Sequence, residues 1–234
     1  NALSGVVNII TRTGGDEHKF YARVDKDDLF RITQTNQTTD AEISMSGPLV
    51  AGTLFYTVAA RGIATNTRWW QDMEKYFPGA IDKTLNGFAK LNVVVSPTIR
   101  VGGQILFSRH DWRDYEFPWR YNLTGIPPER TTSNRIAVIL SHALSNNFYY
   151  AASLSRYYIG SSIGDGDRAD VRPGTPWEYD FFLRNVVGGQ RTWWARMNQE
   201  SYTGKIDGTL TVEKDHILKF GAEATVYRLN SDII

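Results

Sequence analysis

Seven tryptophans, Trp69, Trp70, Trp112, Trp119, Trp177, Trp193 and Trp194, stand among residues able to bind a ligand without transforming it. Arg68, Arg113 and Arg120 each adjoin one of them, and the run Arg113, Asp114, Tyr115, Glu116, Trp119, Arg120, Tyr121 is the densest mixture of charge and aromatic rings in the chain. Rings beside guanidinium groups offer stacking and cation–π surfaces to a solute. The candidate ligand-binding residues are therefore Trp112, Arg113, Tyr115, Trp119, Arg120 and Tyr121, with Trp69 and Trp70. Two other readings fit the same residues: an aromatic girdle at a membrane interface, where amphipathic rings settle at headgroup level, and loops packed on themselves by their own ion pairs.

Other chemistry is poorly represented. Asp165, Asp167 and Asp170 in the segment IGDGDRAD have the alternate spacing of a calcium loop, but Arg168 interrupts it and no bidentate Glu follows at EF-hand distance. A solvated acidic loop is the simpler reading, and no metal site is expected. There is no G-x-S-x-G, no H-E-x-x-H and no phosphate-binding glycine loop, so neither an enzyme nor a cofactor is expected. With no cysteine, disulfides and thiolate metal sites are excluded. The 26 basic and 25 acidic residues nearly cancel, which gives no broad electrostatic reason to expect nucleic acid as a partner.

The elements that carry these residues are best read from Ser201 to Tyr227. Tyr202, Gly204, Ile206, Gly208, Leu210 and Val212 alternate with Ser201, Thr203, Lys205, Asp207, Thr209 and Thr211. After a turn at Lys214–His216 the alternation resumes in Leu218, Phe220, Ala222, Ala224 and Val226. A period of two describes a strand with one apolar and one wet face. Each arm keeps its pattern for about ten residues, enough to cross a bilayer when tilted, whereas strands of soluble proteins usually run to about five or six. A mean hydropathy of −0.36 does not oppose this, because a barrel gives only alternate residues to lipid. No apolar run approaches the roughly 18 residues of a membrane helix.

The same pattern predicts nine wall strands. They begin near His18, with a possible extension through Leu29 and Phe30, and near Thr39, Leu54, Asn86, Ile99, Arg135, Phe148, Ser201 and Leu218. Short turns are expected near Pro48, Pro97, Asn146 and Asp215. The alternate connections, about 65–84, 111–134 and 160–194, are long. In an up-and-down meander every tight turn then lies on one rim and every long loop on the other, as in bacterial outer-membrane barrels. Arg61, Lys90, Arg100, Gln104, Lys205, Asp207, Lys219 and Glu223 should face a lumen, and His142 is a misfit on the apolar face.

The opening residues NALSGVVNIITRTGG add a second line. Asn1, Ala2, Gly5, Val6, Val7, Asn8, Ile9 and Thr11 resemble the end of the plug domain of TonB-dependent outer-membrane receptors, just before the first barrel strand. The resemblance implies an all-β, antiparallel up-and-down transmembrane barrel of 22 strands, with residues 1–15 closing the plug and 16–234 forming the first part of the wall. It also implies a bacterial outer-membrane location and active uptake of a scarce solute (iron chelate, cobalamin, glycan or peptide). The implied partners are the lipid bilayer and lipopolysaccharide, the protein's own plug, the TonB complex and the solute. The TonB-contacting segment would precede Asn1 and the remaining strands would follow Ile234. A passive porin or structural barrel, and a soluble carbohydrate-binding domain with tryptophans in its loops, are the competing classes.

Overall fold

Residues 15–27, 37–164, 177–191, 194–212 and 216–233 are described by the computed structural model. Nine strands form one antiparallel sheet: β1 (Lys19–Lys26), β2 (Thr39–Val50), β3 (Leu54–Thr65), β4 (Asp82–Ser96), β5 (Ile99–Trp112), β6 (Glu129–Ser145) and β7 (Phe148–Ile163), followed after an excursion by β10 (Ala195–Thr211) and β11 (Ile217–Ile233). The excursion holds a separate small hairpin, β8 (Glu178–Asp180) with β9 (Asn185–Gly188). Each wall strand pairs with the one before it, an uninterrupted meander with β1 and β11 at its edges. The expected plug strand, apart from Gly15, and Leu29, Phe30, Asp165, Asp167 and Asp170 lie outside the described residues.

Register fixes the two faces of the wall, because residues paired across antiparallel strands share a side. One ladder row runs Leu91, Gly103, Val138, Leu154, Gly204, Ala224. The adjacent row, on the opposite face, runs Lys90, Gln104, Ala137, Ser155, Thr203, Thr225. Arg61, Lys90, Arg100, Gln104, Lys205, Asp207, Lys219 and Glu223 all fall on this second, polar face, as expected for a lumen.

Among the described residues no second sheet or helix covers the apolar face. Leu154 is 72% exposed, Phe20 66% and Val226 63%. The most deeply buried side chains, Met73, Leu123, Ile126 and Asn66, lie in the long connections and not under the sheet. An open apolar surface of this extent is incompatible with water on that side; it is the lipid-facing surface of a barrel wall.

The border of the apolar band adds a geometric detail. The last apolar outward residue is Leu85 on β4, Phe107 on β5, Ile136 on β6 and Leu154 on β7. Each lies two ladder rows, one step along the same face, lower than the one before, since Leu85 pairs with Arg109, Phe107 with Asn134 and Ile136 with Arg156. Strands cross a level band with this slippage only when they are tilted, as barrel closure requires.

Two expectations are corrected. The first tight turn, expected over Gly47–Gly52, is shorter and begins later: β2 continues to Val50, and the turn is Ala51-Gly52-Thr53, with Gly52 at φ +69°. Pro48, still paired with Phe55, borders a register shift, a place where a strand tolerates proline. The long-loop ends of several strands were also set too short. β6 starts at Glu129 and not Arg135, and β7 runs to Ile163. Seventeen residues at about 3.3 Å each, tilted about 40°, rise roughly 43 Å, well beyond an apolar band of about 25 Å. The wall therefore projects above the membrane on the long-loop side.

Candidate functional site

The described parts of three long connections fold onto one another. Residues 66–81 form a 3₁₀ turn (Thr67–Trp69) and one short helix, α1 (Trp70–Met73), and residues 113–128 form 3₁₀ turns at Phe117–Trp119 and Leu123–Gly125. Met73, Trp119, Leu123, Ile126 and Val186 make a small common core, with Tyr76, Phe77, Ile81 and Tyr115 packed against it. Three connections, those carrying α1, the 3₁₀ turns and β9, thus share one apolar nucleus. Each such buried side chain contributes about 1.5–3 kcal/mol before ordering costs.

Polar contacts lock the same nucleus. The Tyr115 hydroxyl donates to Asp72 Oδ2 at 2.6 Å, and Lys75 Nζ lies 3.0 Å from Asp72 Oδ1. Arg191 grips Glu116 with both Nη atoms, at 2.5 and 2.6 Å, while its backbone N–H donates to the Gly125 carbonyl. Asn122 Nδ2 donates to the Gly189 carbonyl at 2.7 Å. Gly125 is required at this junction: a Cβ there would stand 2.5 Å from the Gly189 oxygen and 2.7 Å from the Trp119 ring. At the base, Asn66 is 2% exposed and accepts the Ile81 N–H.

Electrostatics follow from these contacts. The hydrogen bond from Tyr115, aided by Lys75, holds the Asp72 carboxyl below its ordinary value against the cost of partial burial. Burial, then the Asp72 carboxylate, pushes the Tyr115 phenol up to about 12.

The candidate residues divide into tied and presented. Trp119 is 5% exposed and belongs to the nucleus. Arg113 donates from Nη1 to the Ile126 carbonyl at 2.5 Å and lies over the Phe77 ring. Trp112 ends β5 stacked on His110 at 4.3 Å, and His110 Nε2 lies 2.9 Å from Asp82. Trp70 is half-buried in α1.

Two surfaces remain presented. In one, Arg68, Trp69 and Tyr115 are layered, the guanidinium 4.7 Å from the Trp69 ring and the two rings stacked at 4.3 Å. In the other, Arg120 stands 5.2 Å from the Phe117 ring and 5.1 Å from the exposed Tyr121 ring. Phe117 belongs with these residues and was missed, since an isolated Phe before a proline carries no signal in the chain. Among the described residues no cluster of His, Cys, Asp or Glu could hold a metal.

No described tryptophan lies on the outward face of the apolar band. That face instead carries Tyr56, Phe148, Tyr150 and Phe220 toward the tight turns, with Phe148 stacked on Phe220 at 6.2 Å. His142, the misfit, has a partner there: its Nδ1 lies 3.1 Å from the Tyr150 hydroxyl.

No protein-family model matches this chain, and no curated protein does. Solved structures do. Two crystal structures of variants of the ferric enterobactin receptor of Pseudomonas aeruginosa superpose with TM-scores of 0.60 and 0.57 at 18% and 17% identity, over 96% of this chain. The chain spans 33% of the length of those receptor structures. Its fold is that of part of a TonB-dependent receptor barrel.

Proposed function

We propose that this chain is the first part of the barrel wall, with the end of the plug, of a TonB-dependent outer-membrane receptor that takes up a scarce solute. The observation that carries this reading is the uncovered apolar face backed by a charged one, in a meander whose long loops all lie on one rim. The likeness to a ferric enterobactin receptor and the plug-end motif at Asn1–Thr11 support it. On this reading the polar face, with Lys90, Arg100, Gln104 and the Arg61–Asp40 ion pair at 2.6 Å, contacts the plug, and energy comes through the TonB complex.

The folded loops are the capture surface of this proposal. Arg68 over Trp69 and Arg120 between Phe117 and Tyr121 suit a solute combining negative charge with flat apolar groups, and a ferric chelate is the first to test. The remaining candidates, Trp112, Arg113, Tyr115, Trp119 and Trp70, act by holding that surface in place.

In a strain lacking the gene and supplied with ferric chelates as sole iron source, the intact receptor restores growth. A variant combining Trp69→Ala and Arg120→Ala weakens chelate binding about thirtyfold, as expected for two stacking contacts worth about 1 kcal/mol each. Growth indifferent to the gene on every ferric chelate, cobalamin, glycan and peptide supplied would contradict uptake.

A further inference from the structure

The β8–β9 hairpin of the third long connection carries apolar residues that neither the wall nor the loop nucleus uses. At its tip Phe182 is 100% exposed, Phe181 is 83% exposed, and Leu183 follows them. Trp177 and Tyr179 lead up to the tip, and both are exposed. Turns that face water are ordinarily built from Gly, Asn, Asp, Ser and Pro, each for its own backbone reason. Here the polar residues stand behind the tip and hold it. Asp180 Oδ1 accepts the backbone N–H groups of Phe182 and Leu183 at 2.8 and 3.0 Å, and the buried Asn185 donates from Nδ2 to the Leu183 carbonyl. Arg184, at φ +54°, takes the left-handed position that closes the turn. The rings are presented by a fixed turn and not by a slack one.

The roots of the hairpin are tied to the capture surface. Val186 of β9 belongs to the nucleus, the Gly189 carbonyl accepts from Asn122, and Arg191 grips Glu116. β9 packs on the Phe117–Trp119 turn, and the Trp177 ring lies 6.5 Å from that of Trp119. The same turn presents Phe117 beneath the Arg120 guanidinium. An apolar surface thus starts beside Arg120 and continues through Trp177, roughly 10 Å along the β8 arm, to the tip. Lipid is a poor match for it. β10 climbs from Gly204, level with Leu154 at the apolar border, to Ala195, a rise of roughly 20 Å at a tilt of about 40°, and the hairpin is rooted above that climb.

Positive charge at one end and apolar surface at the other complement an amphiphile. Flat groups are already served where Trp69 and Tyr115 lie parallel, but Tyr179 and Phe181 meet edge to face at 80° and offer no such slot. A flexible chain conforms to rings set at different angles.

We propose that the solute captured by this receptor is an anionic chelate bearing a flexible apolar tail, and that the β8–β9 hairpin reads the tail. The proposal rests on the capture reading above and adds a second requirement to it, met by residues distinct from those that hold the charged head. Laying the tail along Trp177, Tyr179 and Phe181 removes apolar area of both partners from water, so affinity rises with tail length until the chain passes Phe182.

The test uses the complete receptor in lipid nanodiscs, with empty discs as the blank. The probes are ferric complexes of one tris-catechol chelator, which combines negative charge with flat rings, carrying either an acetyl or a decanoyl amide. The unmodified receptor binds the decanoyl complex about tenfold or more tightly than the acetyl complex, the effect of about two methylene groups fully withdrawn from water. Combining Phe181→Ser, Phe182→Ser and Leu183→Ser abolishes that ratio, whereas Phe181→Leu with Phe182→Leu, which keeps the surface apolar, retains it.

Equal binding of the two complexes by the unmodified receptor would overturn the proposal, and is the result expected if another segment of the receptor covers the tip. A preference that survives in the serine variant would place the tail in the bilayer and overturn the hairpin's role. Binding of neither complex would instead defeat the ferric-chelate reading on which the proposal rests, so the two failures are distinct.

Discussion

Tyr115 shows how a residue suited to bind a ligand can be committed to its own scaffold. Its hydroxyl serves Asp72 and its ring backs Trp69, so it organises the capture surface from below. The contribution of this pair to loop stability has two pH limits. Asp72, with its value lowered, contributes above the unfolded carboxylate range and loses that contribution as pH falls through the lowered value. Tyr115, raised to about 12, contributes below the unfolded phenol range and loses it as pH rises toward 12. Protection of residues 113–128 from hydrogen exchange is therefore level from about pH 5 to 10 and declines outside it. Tyr115→Phe lowers protection by about 1 kcal/mol and weakens the acid-side decline. Protection falling steadily between pH 6 and 9 would refute this assignment. Gly125→Ala, which forces a methyl group onto Gly189 and Trp119, costs about 1–3 kcal/mol and raises loop proteolysis while the wall's circular dichroism stays unchanged.

At the scale of the element, the strands were legible wherever lipid lies on one side and water on the other. Tyr202 to Leu210 declares its faces because Lys205 and Asp207 cannot share a side with Ile206. Above the border this contrast disappears. Arg130, Thr132 and Asn134 point outward and Thr131 and Ser133 inward, all polar, so the first residues of β6 read as loop although they are paired strand. The capture surface was less legible still. Its residue types stood out, but which were tied and which presented depends on Tyr115 meeting Asp72 across 43 positions and Arg191 meeting Glu116 across 75, contacts that leave no local pattern. The apolar face yields a direct prediction on β10. Ile206→Arg, facing mid-bilayer, costs about 2–4 kcal/mol, and Thr203→Arg, on the polar face, costs under about 1 kcal/mol. Folding into lipid vesicles, followed in urea, measures both, and equal costs would contradict the assignment of faces.

For the whole molecule, a sheet with an uncovered apolar side, a charged opposite side and one rim of folded loops has a consistent place only in a membrane, with lipid outside and water or a plug within. The oblique border and the loop nucleus each occupy the level that this placement requires. The chain contains no cysteine, so a single one can be introduced anywhere along β10. The decisive measurement is spin-label accessibility at Tyr202→Cys, Thr203→Cys, Gly204→Cys, Lys205→Cys, Ile206→Cys and Asp207→Cys in the receptor with any cysteine outside this chain replaced by serine, reconstituted in a bilayer. Labels at Tyr202, Gly204 and Ile206 are expected to relax with oxygen dissolved in lipid and to be shielded from a water-soluble nickel chelate, while those at Thr203, Lys205 and Asp207 show the lower oxygen response of a face turned from lipid. Oxygen accessibility without a period of two, or labels at Tyr202, Gly204 and Ile206 immobilised against protein and reached by neither reagent, would contradict the account.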